Sequence, residues 1–203
     1  MESPQAQLAS PPDFQDATSR ILRAIADARG SAKTVVLELL AREPRFLSRA
    51  LELAEPAPAD GTPYSRRILF SSPLGDAMVA GWRAGARCLP HDHSGAHGVV
   101  TVLKGRFFEQ AYQLRDGFRA VGGENEFATG DFRLVVPGEI HSLRAEAGGI
   151  TLHLYAPPIR GMRIYDETSR TIYTVADDCG AWIPRDERLI RARTPLDRHS
   201  LHD

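Results

Sequence analysis

Two segments of this chain contain histidines at a spacing that could bind a metal ion. The first, residues 85–105, holds His91 and His93 with one residue between them. Side chains two residues apart on a β-strand point to the same face, so both imidazoles can reach one point. The second, residues 130–141, ends in His141, which would add a third imidazole from another strand. Neutral imidazole suits iron, zinc, copper and nickel, so these histidines predict a metal site without fixing the metal.

Histidine pairs of this kind also occur on surfaces and in loops, so His91 and His93 alone would not establish a metal site. The interpretation gains support because five of the seven histidines lie between His91 and His153, among strand-like segments. His97 follows His93 by four residues and would leave the face of the pair if the chain stays extended. We therefore expect His97 at most to support the ligands.

Farther along the chain, Thr151, His153 and Tyr155 alternate with leucines. On a strand these three polar side chains share one face and the leucines share the other. We expect the polar face to line a cavity, in which Tyr155 donates a hydrogen bond to a bound molecule and His153 orients the tyrosine hydroxyl. The alternative is a buried, hydrogen-bonded pair of Tyr155 and His153 that serves stability alone.

The composition excludes several classes of protein. With 203 residues, 42% of them hydrophobic, the chain suits one domain with a full core and a helical appendage. The formal net charge is −1 and no dense run of Lys or Arg occurs, so we expect neither nucleic acid nor a membrane surface as a partner. The N-terminus lacks a secretory-signal pattern, and no apolar run reaches the length of a membrane span. Two cysteines, Cys88 and Cys179, do not indicate a disulfide framework, which favours a cytoplasmic location.

Residues 12–55 have a helical pattern that predicts packing surface. A first hydrophobic stripe consists of Phe14, Ile21, Leu22 and Ile25. Gly30 predicts a stop, and a second stripe follows with Val35, Val36, Leu39 and Leu40. Pro44 opens a third segment, in which Phe46, Leu47, Ala50, Leu51 and Leu53 can face a core. Residues 56–63, rich in proline, predict a linker.

After residue 63 the pattern changes to short β-like runs that Gly or Pro mostly separates. The predicted strands are residues 67–71, 77–83, 98–103, 106–114, 132–136, 150–155 and 171–175. Many short strands without alternating helices predict a mainly β fold, an antiparallel barrel or sandwich with an N-terminal helical segment. We divide the chain into a tail, helical segment and linker packed on the barrel (residues 1–63), the barrel itself (64–183) and a polar surface tail (184–203).

The two histidine segments resemble the two motifs of the cupin superfamily. Gly85, His91, His93 and Gly105 match the first motif in type and spacing, and residues 130–141 match the second, apart from a valine where proline is usual. The three-histidine set and the run Thr-Leu-His-Leu-Tyr-Ala-Pro-Pro are most similar to the thiol dioxygenases, and among these to the cysteine dioxygenase type I family. The similarity covers residues 64–165, about half of the chain, and implies a cupin-type β-barrel.

The resemblance implies a role for each matching residue. His91, His93 and His141 correspond to the family's iron ligands, which implies Fe²⁺ as the cofactor. Tyr64 and Arg66 lie in a segment that resembles the family's substrate-binding segment, in which Arg66 corresponds to the arginine that holds the substrate carboxylate. Trp82 also matches the family, where a tryptophan at this position forms part of the active-site wall. The alternative for Trp82 is ordinary core packing.

Three further positions complete the comparison with the family. Thr151, His153 and Tyr155 correspond to its Ser-His-Tyr relay, and Ala156–Pro157 corresponds to a peptide that is cis in the family, which X-Pro bonds tolerate. Gly98 differs from two expected residues: most cupins have a glutamate ligand there, and mammalian-type relatives have a cysteine that is crosslinked to the tyrosine. The glycine removes the carboxylate and rules out the crosslink, as in many bacterial members.

The resemblance implies an iron(II)-dependent dioxygenase that adds both atoms of O2 to the thiol of L-cysteine and forms cysteine sulfinic acid. Three neutral ligands leave the full charge of the metal ion to attract a thiolate. A facial triad leaves open positions for a substrate sulfur, a substrate amine and dioxygen, and an arginine can hold the distant carboxylate through two parallel hydrogen bonds.

Two other functions stay open at this point. One is oxidation of another small thiol carboxylate such as 3-mercaptopropionate, although relatives that act on it carry glutamine at the position of Arg66. The other is a non-catalytic cupin that binds a metal or a small ligand, against which the Thr-His-Tyr alternation argues. We expect a monomer, but the sequence leaves the oligomeric state open.

Overall fold

The computed structural model describes residues 12–28, 38, 40–115 and 117–196. Helix α1 spans Pro12–Ala28 and helix α2 spans Pro44–Glu52. The predicted first stripe of α1 is buried, and the ring of Phe14 stacks on Phe46 of α2 with 4.7 Å between centroids. Within the described part of the chain, no helix is long and apolar enough to cross a membrane.

The other helical predictions have mixed outcomes. Gly30, Val35, Val36 and Leu39 lie outside the described residues, whereas Leu40 is buried. In α2, Phe46 and Ala50 are buried and Leu47 and Leu53 pack against the same core. The prediction for Leu51 is wrong, because its side chain is 39% exposed. At 3.6 residues per turn, Leu51 lies about 140° around the helix from Phe46 and therefore faces solvent.

A six-stranded antiparallel sheet forms most of the fold. Its strands are β1 (Tyr64–Ser72), β2 (Gly75–Ala84), β3 (His97–Gln113), β4 (Arg119–Ala128), β5 (Phe132–Val135) and β6 (Ile140–Ala156). The order along the sheet is β1-β2-β6-β3-β4, and β5 also pairs with β3. This arrangement confirms the predicted mainly β, antiparallel fold, although the strands of the described residues do not close into a ring.

Long strands β3 and β6 hold the sheet together, because they pair along nearly their whole length. The runs predicted at 98–103 and 106–114 both belong to β3. Gly105, between them, has φ of +99° and lies opposite Gly149, where the register shifts. A Cβ at Gly105 would lie 2.5 Å from the Gly148 carbonyl oxygen, so only glycine fits this bend.

Three strands of the described residues were not predicted from the sequence. Strand β4 is exposed from residue 119 to residue 126, so it lacks the alternation that signals a half-buried strand. A second, three-stranded sheet consists of β7 (Arg163–Asp166), β8 (Thr171–Val175) and β9 (Ile190–Pro195). The segment predicted as a polar tail from residue 184 therefore contributes a strand, β9, whose backbone pairs with β8 although its side chains are largely exposed.

The two faces of β6 have different neighbours. Leu152 and Leu154 are fully buried in the cluster that also contains the apolar side of α1. Alternation along the strand turns Thr151, His153 and Tyr155 to the opposite face, where all three are buried. Packing of the leucines against the helix therefore fixes the direction in which the polar side chains point.

Candidate metal centre

The imidazole rings of three buried histidines converge. One ring nitrogen from each of His91, His93 and His141 lies within 4.8 Å of the others, and all three side chains are buried. The ring centroids are 4.7 to 5.1 Å apart. Among the described residues no other group of metal-binding side chains converges in this way. The distant residues that the sequence analysis combined into one site are therefore brought together.

The backbone that carries these histidines differs from the predicted one. His141 is the second residue of β6, as expected for a ligand from a distant strand. His91 forms isolated antiparallel bridges with His141 and Ile164, and His93 lies outside any strand. The His-x-His pair is thus part of an extended loop that β6 and β7 hold from two sides. The prediction that a regular strand carries the pair is wrong, but the local extended geometry still directs both rings inward.

Hydrogen bonds leave two of these rings ready to bind a metal. Nδ1 of His91 donates to the Leu89 carbonyl oxygen over 2.9 Å, and Nδ1 of His141 donates to the carboxylate of Glu109. Each of these bonds leaves the Nε2 lone pair of the ring unshared, and Nε2 of His141 is buried without a hydrogen-bond partner among the described residues. A buried imidazole nitrogen without a partner is costly unless something binds it, so the three residues fit a metal ion.

Charge state also favours metal binding. Burial lowers the pKa of His91, and burial together with the neighbouring imidazoles lowers the pKa of His93 and His141 well below the ordinary 6.5. All three rings are therefore neutral near pH 7. Since a metal binds the deprotonated nitrogen, no proton has to be displaced from the binding atom.

A chain of hydrogen bonds connects the polar face of β6 to the histidine group. Trp82 Nε1 donates to Thr151 Oγ1 (2.8 Å), and Thr151 Oγ1 lies 2.8 Å from His153 Nε2. His153 Nδ1 lies 3.1 Å from the Tyr155 hydroxyl, which in turn is 3.0 Å from His93 Nε2. The residues of the predicted relay thus form one continuous path that ends at a candidate ligand.

The hydrogen bonds of this relay also determine which atom carries the proton at each step. Because Trp82 Nε1 can only donate, Thr151 accepts from it and directs its own hydrogen to His153 Nε2. His153 then carries its proton on Nδ1 and donates it to the Tyr155 oxygen, so the tyrosine hydrogen points toward the histidine group. Burial lowers the pKa of His153 to about 3 and raises the pKa of Tyr155, so both groups are neutral at pH 7.

This neutral His153 leads to a prediction on acid stability. The pKa of His153 in the folded state is below its unfolded value, so stability is complete above pH 6.5 and falls as the pH drops toward the folded pKa. We expect His153 alone to cost the metal-free protein about 1.4 kcal/mol of unfolding free energy per pH unit in that window. Urea unfolding at pH 7, 6 and 5 measures the slope, and His153→Gln should have a shallower one. Equal slopes in both proteins would contradict the prediction.

The residues that were predicted to contact a substrate lie near the relay of Thr151, His153 and Tyr155. Arg66 on β1 donates from Nε to Met78 Sδ (3.1 Å), and its two terminal nitrogens donate to the carbonyl oxygens of Asp178 and Asp177 at 3.0 and 3.1 Å. Its positive charge reaches the relay, since it adds to the effects of burial and of His91 in lowering the pKa of His153.

Two aromatic residues line the other side of the relay. The hydroxyl of Tyr64 accepts from the Ala181 amide over 2.7 Å, and its ring lies 4.3 Å from that of Trp82. Both residues belong to a buried cluster, and Trp82 also bonds to Thr151. Trp82 therefore combines core packing with direct contact to the relay, and Tyr64 packs behind it.

Gly98 and His97 occupy distinct places next to the site. A Cβ at Gly98 would lie 2.4 Å from Cδ1 of Tyr155, so the glycine makes room for the tyrosine ring. His97 is half-buried at the start of β3 and does not belong to the converging histidines. The Ala156–Pro157 peptide is cis, as the resemblance implied.

Sequence reasoning missed two buried carboxylates beside the histidines. Asp92, fully buried, accepts from Arg163 Nε (2.7 Å), the Tyr165 hydroxyl (2.6 Å) and the Ser94 amide (2.9 Å). It thereby fastens the histidine loop to β7. Its position between His91 and His93 could have revealed this role. In an extended chain the side chain between two inward histidines points to the opposite side, toward another element of the fold.

Glu109 is the second missed carboxylate. It is 4% exposed on β3 and bonds to both His141 Nδ1 and Arg133 Nε. Burial raises its pKa, and the charge of Arg133 opposes that rise. The sequence did contain a sign of this burial. Glu109 follows Phe107 by two positions and so shares a strand face with it, and Phe107 is fully buried.

An antiparallel β fold that brings three buried imidazoles together defines a cupin with a candidate three-histidine metal centre. The sequence model of the family "cysteine dioxygenase type I" matches residues 1–168, which includes the helical segment as well as the sheet. This chain belongs to the cysteine dioxygenase type I family. It is thus a cupin of the thiol dioxygenase type, and the family depends on non-haem iron.

Solved structures with a similar course of the chain include two cupin-like proteins. An uncharacterized conserved protein with a double-stranded β-helix domain from Klebsiella pneumoniae has a TM-score of 0.47 and 18% identity, with 57% of this chain and 87% of that one covered. An RmlC-like cupin from Shewanella frigidimarina has a TM-score of 0.42 and 23% identity, with 52% and 86% covered.

Proposed function

We propose that this protein is an iron(II)-dependent dioxygenase that oxidises the thiol of L-cysteine to cysteine sulfinic acid with both atoms of O2. The observation that carries the proposal is the relay from Thr151 through His153 and Tyr155 to His93. A site that only stores a metal has no need of a buried hydroxyl aimed at its ligands. This argues against a non-catalytic binding cupin.

His91, His93 and His141 would hold the iron. When bound, Fe²⁺ would supply open positions for a thiolate and dioxygen and a positive charge that none of the three neutral ligands offsets. The rings keep their orientation through hydrogen bonds at Leu89 and Glu109. The protein therefore contributes a pre-arranged, buried and neutral set of nitrogen donors.

Tyr155 is the proposed catalytic donor. Tyr155 is 1% exposed, and burial raises the pKa of its hydroxyl, so the group keeps its proton. Because His153 Nδ1 already supplies a hydrogen bond to the tyrosine oxygen, the hydroxyl hydrogen points toward His93, beside which the substrate would bind. Thr151 and His153 hold that direction, and Tyr64 and Trp82 form the wall behind them.

Arg66 is the proposed partner of the substrate carboxylate. Three of its five N–H groups are used by Met78 Sδ and by the carbonyl oxygens of residues 177 and 178. These bonds hold the guanidinium in place, and one N–H on each terminal nitrogen is left for a carboxylate. A fixed cation of this kind favours a thiol that also carries a carboxylate.

The proposed substrates are a small thiol amino acid and O2, and we place the reaction in the cytoplasm. The thiols of Cys88 and Cys179 support that location, because both are free and buried, as is usual in a reducing compartment. We propose a monomer as the working unit.

Oxygen uptake by the iron-loaded protein tests the proposed activity. The substrates to compare are L-cysteine, 3-mercaptopropionate and cysteamine, with the product identified by mass spectrometry. We expect one O2 consumed per sulfinate formed and the highest kcat/KM for L-cysteine. A higher kcat/KM for 3-mercaptopropionate would replace cysteine by that thiol, and no uptake with any thiol would contradict the proposal.

Replacement of Arg66 tests the carboxylate contact. L-cysteine and cysteamine share a thiol and an amine, and only cysteine has a carboxylate. A charge-assisted bond contributes about 1.5–3 kcal/mol, or roughly ten- to 150-fold, so wild type should favour cysteine by that factor in kcat/KM. Arg66→Ala should remove most of the preference by weakening cysteine alone.

The neighbouring arginine provides a matched control for this test. Arg67 points to the other face of β1, where its Nη1 lies 3.2 Å from Glu55 Oε1. Arg67→Ala should keep the wild-type preference. If Arg66→Ala also keeps it, the carboxylate is held elsewhere, and Arg83 is the next residue to replace.

A further inference from the structure

Glu109 differs from every other group that contacts the histidines, because it is a buried carboxylate bonded to a candidate ligand. Its side chain is 5% exposed, on the part of β3 that pairs with the start of β6. It accepts a hydrogen bond from His141 Nδ1 and an ion-paired hydrogen bond from Arg133 Nε. Arg133 is 10% exposed and also contacts Glu139. The carboxylate therefore lies between the imidazole and a held cation.

The three candidate ligands have unequal partners. His91 donates to a neutral carbonyl, and the Nδ1 atom of His93 is buried without a partner in the described chain. Only His141 donates to a charged group. A carboxylate that accepts the Nδ1 proton fixes the tautomer and orientation of the ring and makes its other nitrogen more basic.

We propose that Glu109 is a positioning residue that makes His141 the strongest donor of the three histidines. It holds the Nδ1 proton so that Nε2 points into the site, and its negative charge raises the electron density on that nitrogen. Arg133 keeps the carboxylate in place and stabilises its charge in a buried setting. The inference rests on the proposed three-histidine metal site, and it concerns metal affinity and ligand field rather than the choice of thiol.

Cobalt(II) binding by the full chain tests this proposal without reference to turnover. Glu109→Gln keeps the size and one acceptor oxygen but loses the charge. We expect its cobalt dissociation constant to rise about 10- to 100-fold and its visible cobalt absorption bands to shift. Glu124→Gln is the matched control, because Glu124 is likewise paired with cationic side chains, those of Arg87 and Arg144, but lies on exposed β4. It should match wild type in both measurements.

Loss of one charge from the buried pair could prevent folding, so a second variant is needed. The double variant Glu109→Gln, Arg133→Gln removes both charges and leaves no unpaired cation. Circular dichroism of the metal-free proteins identifies the variants that fold. Weaker cobalt binding with shifted bands in a folded variant supports the proposal. An unchanged dissociation constant or unchanged bands would overturn it. A wild-type protein that binds no cobalt would instead contradict the proposed metal site.

Discussion

Replacing His141 by alanine should abolish both tight metal binding and thiol oxidation. The variant loses one of three converging nitrogens, and with it one of the two partners of Glu109. Mutation of a residue that only hydrogen-bonds to a metal ligand typically lowers metal affinity about 10- to 100-fold. Removal of a ligand itself should therefore lower the affinity more. Elemental analysis after iron loading, with oxygen uptake on L-cysteine, measures both effects.

A second histidine provides the control for this prediction. His97 lies close in sequence to the ligands but outside the converging group. His97→Ala should therefore bind about one iron per chain, as wild type does; one ion per three-histidine site is the usual stoichiometry. Full iron occupancy in His141→Ala would show that the metal is held by other residues. Equal loss in both variants would point to a general disturbance of the fold.

The inward direction of two of the candidate ligands, His91 and His93, could be predicted from sequence because it depends on local geometry. Any extended chain directs residues two apart to the same side, so the inward direction of His91 and His93 did not depend on whether the segment was a strand or a loop. The relay was predictable for the same reason, since Thr151, His153 and Tyr155 share one face of β6. The third candidate, His141, was proposed as an imidazole from a distant strand, and the resemblance to a known family supported it, because no local rule brings His141 near the pair.

The groups that hold these residues in place were not predictable in the same way. Asp92 binds Arg163 and Tyr165, which lie more than 70 positions away. Such bonds depend on the docking of the second sheet, in which the four-residue β7 has two adjacent buried residues and therefore no hydrophobic alternation. The sequence reveals which residues can do chemistry, whereas the partners that fix their orientation come from contacts that only the assembled fold creates.

The second large effect is expected at Tyr155. Tyr155→Phe keeps the ring that stacks on His93 at 4.8 Å and removes only the hydroxyl. The stability cost should be that of one unsatisfied buried donor at His153, about 1–3 kcal/mol. If the hydroxyl donates to the reacting molecule, kcat should fall by about 10²- to 10⁴-fold, with oxygen uptake exceeding the sulfinate formed.

The test therefore rests on comparing three quantities in one variant. Oxygen electrode measurements and product analysis give kcat and the ratio of sulfinate to oxygen, and urea unfolding gives the stability. Tyr173→Phe is a suitable control, because that hydroxyl contacts only the exposed Ser169 side chain, over 3.2 Å, among the hydrogen bonds of the described residues. A wild-type rate and an unchanged ratio in Tyr155→Phe would mean that the relay serves folding alone. A fall in kcat far beyond the loss of stability, together with oxygen uptake that exceeds the sulfinate formed, would instead support a role of the Tyr155 hydroxyl in the reaction, because a bond that serves folding alone should change only the stability.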